Sequence, residues 1–332
     1  MRDINLDSFS EPDATDGGAQ MILRQQRVPM HKAGARFDAI AAELFPEFSR
    51  SRLQTWIRAG ELCVDGKNVK ANTKLAGGEL LVLQTRTQPE GEWLAEAIDF
   101  PVVYEDEAVV VVNKPAGLVV HPAAGNLQGT LLNGLLHRYP GLRNLPRAGI
   151  VHRLDKDTSG LMVVARTLQA QAALVEQLQA RSVTRIYEAL VQGVPDSEGH
   201  IEGNIGRHPH NRLKMAVISS GKPAVTHYRV LRANAHFAHV RIKLETGRTH
   251  QIRVHMAHLG FPLVGDQVYG KALNRSLSRS AAFAAAAAFP RQALHAVGLG
   301  FTHPDSAVQR AWRVKPTQDI ADLMAGVFQH DC

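Results

Sequence analysis

Residues 151–165 read Val151-His152-Arg153-Leu154-Asp155-Lys156-Asp157-Thr158-Ser159-Gly160-Leu161-Met162-Val163-Val164-Ala165. The first ten carry two carboxylates, three potential cations and a closing glycine, and the last five are apolar. A continuous apolar run bounded by turn residues reads as a strand buried on both faces. The charged turn before it has two readings. Solvation alone explains a polar loop. A carboxylate kept among cations also suits a site that does chemistry on an anion, and composition does not separate the two.

Outward from this point the pattern is an irregular alternation of strands and helices. "AVVVVN" (108–113) is a second buried strand, and the Pro/Gly-rich "KPAGLVVHPAAGN" (114–126) is loop. "GTLLNGLLHRYP" (129–140) and "LQAQAALVEQLQARS" (168–182) read as helices, and "RIYEALVQGV" (185–194) as a strand. In "HVRIKLETG" (239–247) Val240, Ile242 and Leu244 alternate with Arg241, Lys243 and Glu245, the mark of a half-exposed strand. In "TGRTHQIRVHMAHLG" (246–260) Thr249 is placed to cap a short helix that Gly260 ends. This order predicts an α+β domain over 99–326, with a mixed, largely antiparallel central sheet and flanking helices, rather than a repeating βαβ fold. Residues 271–289, "KALNRSLSRSAAFAAAAAF", form a low-complexity insertion, read either as a helix or as a segment without chemistry.

Upstream lies a smaller α+β unit at 31–88. Phe37, Ile40, Ala41 and Leu44 share one helical face, and Pro46 ends that helix. Ser49 is placed to cap a second helix with Leu53, Trp56 and Ile57 as its apolar stripe and Gly60 at its end. "ELCVDGKNV" (61–69) reads as a hairpin turning at Asp65-Gly66, and "GGELLVL" (77–83) as a returning strand. Residues 1–30, poor in apolar side chains, read as a flexible tail, and 89–98 as a linker.

The chain has 332 residues and a net charge of +7, which favours a polyanionic partner. Its two cysteines are too few for a disulfide framework, so a reducing cytoplasm is the expectation. No secretory h-region and no apolar run of membrane-spanning length is present, so no membrane is expected. The chain holds no G-x-G-x-x-G, Walker A or G-x-S-x-G pattern. His250, His255 and His258 lack neighbouring acids or cysteines to complete a metal set, so no metal is expected.

Six blocks in order, "NKPAGLVVHP" (113–122), "PRAGIVHRLDKDTSGLMVVA" (146–165), "RIYEAL" (185–190), "GKPAVTHYRV" (221–230), "LETGRTHQIRVHMAHLG" (244–260) and "PLVGDQVYG" (262–270), resemble the RluA-type RNA pseudouridine synthases. The 31–88 unit resembles an S4 RNA-binding domain. Together the two are similar to members that act on the large ribosomal subunit. The resemblance implies isomerisation of specific uridines in 23S ribosomal RNA, in a stem-loop, by base flipping and without a cofactor. It implies Asp155 as the essential carboxylate, acting at C1′ as nucleophile or by taking a proton from C2′. Arg253 is its implied counter-ion, with a planar fork suited to a bidentate carboxylate. Tyr187 is implied to stack on the target base and serve as general base. Arg153 is implied to enter the RNA stack where the flipped base leaves a gap. Lys114, Arg248 and His250 are expected to line the RNA cleft, either touching RNA or in a structural role, and Arg50, Arg52 and Lys67 to meet RNA from the S4 unit. Asp157 is read as a turn cap or ion pair with Lys156. The implied partner is the ribosomal RNA of the large-subunit precursor, and the protein is expected to be a monomer. The alternative is an RNA-binding ribosome-assembly factor whose modification activity is lost or secondary; it predicts a decayed site, whereas Asp155, Tyr187 and Arg253 are all present.

Overall fold

The chain divides into two units, Met1–Gly91 and Glu92–Cys332. The computed structural model describes residues 21–46, 48, 50–86, 93–122, 126, 128–211, 213–273 and 280–329. Residues 1–20 of the expected tail, Ser49, 89–92 of the linker and 274–279 of the insertion lie outside the described residues.

The first unit is built from strand β1 (Met21–Arg27), helices α1 (Phe37–Leu44) and α2 (Arg50–Ala59), and strands β2 (Leu62–Val64) and β3 (Leu80–Arg86). The three strands form an antiparallel sheet in the order β1-β3-β2. Phe37, Ile40 and Ala41 of α1 and Leu53, Trp56 and Ile57 of α2 meet Leu62, Leu81 and Leu83 in one core. The tail expectation fails from residue 21. β1 pairs along its whole length with β3, from Met21 opposite Arg86 to Arg27 opposite Leu80. Backbone pairing places this edge strand, so its side chains need little apolar content. The turn at Asp65-Gly66 is present with positive φ at both residues, as a two-residue type I′ turn requires. Its returning arm is only the Val64–Lys67 bridge, and β2 pairs with β3 instead.

In the second unit strands β4 (Val102–Glu105) and β5 (Val109–Lys114) are followed by α3 (Leu131–Arg138), β6 (Ser159–Ala165) and α4 (Leu168–Gln179). Then come β7 (Thr184–Gln192), β8 (Glu198–Arg207), β9 (Met215–Val217), β10 (Lys222–Ala233) and β11 (Phe237–Leu244). The chain ends with α5 (Gln251–His258), α6 (Ala281–Ala288), β12 (Leu294–Thr302), β13 (Gln309–Arg313) and α7 (Gln318–Phe328). The strands form one ten-stranded sheet in the order β4-β5-β6-β12-β7-β11-β10-β8-β9, with β13 on β12. Among the named strands of the described residues, only β6 and β12 run parallel to each other. The domain is thus α+β with a mixed, largely antiparallel sheet and flanking helices, as the order of elements predicts.

The centre of the sheet is buried on both faces. Val110, Val112, Met162 and Val164 pack on one side with α3, α5 and Tyr187. Val109, Val111, Leu161 and Val163 pack on the other with Ala170 and Leu174 of α4. This two-sided burial is why β5 and β6 read as unbroken apolar runs.

Two local readings change, those of the linker and of Thr249, and one open reading is decided, that of the Ala-rich stretch. From Trp93 the linker is ordered against the second unit: Trp93 packs on the core and Asn133 Nδ2 donates to the Leu94 carbonyl at 2.8 Å. The Ala-rich stretch folds as α6, capped by Ser280 and packed with α7 around Ala286, Leu323 and Val327. Thr249 does not cap α5; His250 does, at φ 57°, and its side chain makes no capping hydrogen bond.

Gly160 closes the 151–160 loop at φ +115°, where a Cβ would lie 2.3 Å from the Ala296 carbonyl oxygen of β12. Gly160→Ala is expected to destabilise the second unit by about 3–4 kcal/mol, from backbone strain and overpacking together. Urea denaturation checks this, and an unchanged midpoint would contradict the close approach.

Candidate active site

The loop from His152 to Thr158 crosses in front of β6 and is tied down from several sides. His152 Nε2 accepts from the Val163 amide at 3.1 Å. Burial holds its pKa down to about 3, so the ring is neutral and free to accept. The Thr158 amide donates to the Asp155 carbonyl at 3.1 Å, closing the turn. Arg291 Nη1 donates to the Asp157 carbonyl at 2.9 Å, and Gln292 Nε2 to Thr158 Oγ1 at 3.2 Å. Arg291 is itself held by a two-pronged pair with Asp319 of α7, at 2.8 and 2.9 Å.

Lys114 belongs to this scaffold and not to the cleft surface. Its side chain is fully buried, and Nζ donates to the carbonyls of Pro115, Leu118 and Lys156 at 2.8, 2.8 and 2.9 Å. Burial lowers its pKa to about 7, against the opposing charges of Asp157 and Asp155. Of the two readings of Lys114, RNA contact is therefore corrected and the structural role kept: an ammonium satisfied by three interior carbonyls has no donor left for a phosphate. Asp157 forms no ion pair with Lys156 among the described residues, and its backbone carbonyl is the group that is held.

The carboxylate of Asp155 stays partly open, with 16% of its side chain exposed. Arg253 of α5 reaches it through Nη1, which donates to Oδ2 at 3.0 Å. The two-pronged geometry expected between Arg253 and Asp155 is found elsewhere. Arg253 Nε and Nη2 donate to Oδ2 and Oδ1 of Asp266 at 2.7 and 2.9 Å. Oδ1 of Asp266 also accepts from the amides of Val268 and Tyr269, at 2.9 and 3.0 Å. Burial alone would raise Asp266, but the hydrogen bonds and charge of Arg253 and these two amides hold it below the usual carboxylate range. Burial would likewise lower Arg253, and the two carboxylates outweigh it and raise its pKa. Arg253 is thus a fixed cation whose third nitrogen is offered to Asp155 with the other two already anchored.

His250 lies beside the pair, its Nε2 3.9 Å from Asp155 Oδ1. Its Nδ1 meets the Tyr269 hydroxyl at 2.8 Å, and that hydroxyl accepts from the Met215 amide at the same distance. The guanidinium of Arg253 lies 5.0 Å from the Tyr269 ring centre. Burial keeps His250 below the usual histidine pKa, against the charge of Asp155. Tyr187 of β7 is 6% exposed, and burial raises its pKa, with Arg185 opposing and Asp155 adding. It stands as a neutral phenol, which favours stacking over proton abstraction.

The cationic rim is only partly as expected. Arg153 is exposed and makes no ion pair among the described residues. Arg147 and Arg153 both bear on half-buried His121, whose pKa falls to about 4, chiefly through burial. Arg147 stands in a turn where residues 147, 148 and 149 all take positive φ. Arg248 is half-buried and donates from Nε to the Pro223 carbonyl at 3.1 Å. In the first unit Arg50 is committed to buried Asp38 at 2.9 Å, alongside Arg36 and Gln54. Arg52 lies over the Trp56 ring at 5.0 Å, and Lys67 is exposed beside the Asp65-Gly66 turn.

Sequence reading does not single out Asp266, Tyr269, Arg147 or Arg291. Asp266 and Tyr269 stand in the block "PLVGDQVYG", but nothing local marks that acid as the anchor of an arginine 13 residues upstream. Among the described residues no group of three or more His, Cys, Asp or Glu side chains is arranged to hold a metal ion.

Comparison with known proteins shows which family the chain resembles along its length. Residues 108–258 match the family model described as RNA pseudouridylate synthase, and 35–81 match the S4 domain. The chain is 54% identical over 308 residues to ribosomal large subunit pseudouridine synthase D of Pseudomonas aeruginosa, covering 92% of this chain and 96% of that one. It is 47% identical to the protein of that name from Escherichia coli O6:H1, covering 92% and 94%. Among solved structures, human RNA pseudouridylate synthase domain containing 1 matches with a TM-score of 0.51 at 29% identity, over 66% of this chain and 84% of that one.

Asp266→Ala would strand Arg253 between one partial partner and a dry interior. Loss of one partner from a buried pair is expected to destabilise the second unit by about 3–5 kcal/mol. Thermal unfolding of the variant checks this, and a melting point within experimental error of the parent would contradict the anchoring role.

Proposed function

The chain belongs to the RNA pseudouridylate synthase family, and we propose that it isomerises uridines of large-subunit ribosomal RNA to pseudouridine. The observation that carries the reading is a partly open Asp155 held by an arginine that a second, buried carboxylate has already fixed. The reaction breaks the N1–C1′ bond, turns the uracil and joins C5 to C1′. One proton leaves C5 and one is gained at N1, so atoms and electrons balance within the substrate and no redox cofactor is called for.

Each residue then has a task. Asp155 acts on the sugar, as nucleophile at C1′ or by taking a proton from C2′. Arg253 pairs with it and keeps it aimed. Tyr187 supplies an aromatic face for the extruded uracil and, still protonated, a hydroxyl that can donate. Flipping a base out of an RNA stack costs a few kcal/mol, and the exposed guanidinium plane of Arg153 offsets part of this by stacking in the gap. Arg147 is suited to phosphates beside it. In the S4 unit Lys67 is free for RNA, while Arg50 also serves to neutralise Asp38. We further propose a cytoplasmic monomer acting on the precursor of the large subunit. Among the described residues no helix is long and apolar enough to cross a membrane.

Pseudouridine mapping of ribosomal RNA from a deletion strain tests the activity. Complementation with the parent gene is expected to restore the lost pseudouridines, and complementation with Asp155→Asn to restore none. If Asp155→Asn restores them all, the assignment of Asp155 fails. If deletion removes none, the activity itself fails.

The S4 unit has its own test. Neutralising Arg52 and Lys67 is expected to reduce the slope of log K against log salt by about 0.7 for each phosphate of single-stranded RNA that these cations neutralise in the parent. Binding isotherms of a ribosomal stem-loop at several salt concentrations measure it, and an unchanged slope would remove these two side chains from RNA binding.

A further inference from the structure

One buried cation near Tyr187 has no anion of its own. Arg185 precedes Tyr187 by two residues on β7, so both side chains lie on the same face of the sheet. Only 7% of Arg185 is exposed. Its Nη2 donates to the Glu245 carbonyl at 3.0 Å, yet Nε is buried with no hydrogen-bond partner, and no carboxylate lies within ion-pairing distance among the described residues. The buried arginines Arg253 and Arg291 both contrast with it, since each is paired in two-pronged fashion with an aspartate. Gly247 keeps the space beside Nη1 clear, because a Cβ there would stand 2.7 Å from that nitrogen.

An unpaired buried charge is costly unless something supplies the counter-charge. The neighbours of Arg185 do not. Its charge bears on Tyr187 and on His152, and both are neutral. Burial accordingly lowers its own pKa. The proposed isomerisation generates an anion that the resting protein lacks. When N1–C1′ breaks, the bonding pair stays on uracil, and the negative charge spreads over the ring to its two carbonyl oxygens.

Resting on the proposed isomerisation, we propose that Arg185 is a further catalytic residue: its guanidinium, unpaired beside Tyr187, binds a carbonyl oxygen of the detached uracil and carries the counter-charge until C5 bonds to C1′. Arg185 neither gains nor loses a proton in this step. A preorganised donor of this kind acts mainly on the transition state, not on ground-state binding.

The test uses the full chain with a ribosomal stem-loop substrate, and compares Arg185→Met and Arg185→Lys with the parent. For Arg185→Met the expected result is a single-turnover rate lower by about 100-fold, an RNA Kd within about twofold of the parent, and a melting point equal to or above it, since an unpaired buried charge has been removed. Arg185→Lys is expected to recover part of the rate. A merely structural arginine would instead lower the melting point in both variants. A rate within about threefold of the parent in Arg185→Met, or misfolding of both variants, overturns the proposal. So does a loss confined to Kd with a flatter salt dependence, which would assign Arg185 to a phosphate. Turnover by the parent protein tests the isomerase reading separately, so failure of that reading is distinguishable from failure at Arg185.

Discussion

The site depends on how one guanidinium is divided. Arg253 gives two nitrogens to Asp266, which is completely buried, and one to Asp155, which is partly open. A single arginine–carboxylate pair at a cleft would be free to reorient. Fixing two of the nitrogens to a carboxylate that also accepts two backbone amides removes that freedom. The direction of the third N–H is then set by the interior, and Asp155 is paired without being enclosed. Tyr269 adds a ring against the guanidinium and a hydroxyl to His250, linking the same anchor to the next side chain of the site.

The loop that presents Asp155 is held by the same means, with groups that do not touch the cleft. Lys114 spends its ammonium on three carbonyls, one of them that of Lys156, next to Asp155. Arg291 takes the carbonyl of Asp157 and joins it to α7. Gly160 admits β12 at a distance no side chain would allow. Against this background Arg185 is the exception. It is buried as deeply as Arg253 and has no carboxylate, and it lies beside the phenol on which the base would stack. Among the described residues, Lys114, Arg253 and Arg291 are satisfied where they build the site, whereas Arg153 makes no ion pair and Arg185 has no carboxylate.

Much of the framework is legible in the chain. Strands β5 and β6 are visible as apolar runs because both faces of the central sheet are covered. Asp155, Arg253 and Tyr187 stand in ordered blocks, and Arg253 does reach Asp155. The sequence misleads where a residue's role depends on a distant partner. Lys114 reads as a cleft cation, although its surroundings consume every donor. Arg253 invites a two-pronged bond to Asp155, yet gives it to Asp266. β1 is hidden because an edge strand is placed by the backbone of β3 and needs few apolar side chains.

By itself, then, the chain determined the succession of elements, the α+β class, the S4 unit and the choice of Asp155 as the carboxylate to test, all of which are carried by local periodicity, turn chemistry and ordered blocks of residues. Only the tertiary structure decided which acceptor each cation serves. Hydrogen bonding and ion pairing act over about 3 Å, and the partners that matter here, Arg253 with Asp155 and Arg291 with Asp157, are separated by 98 and 134 residues of chain. Burial completes the division of labour: the same lysine or arginine binds RNA at the surface and is a structural clamp in the interior, and sequence alone does not say on which side of that boundary it lies.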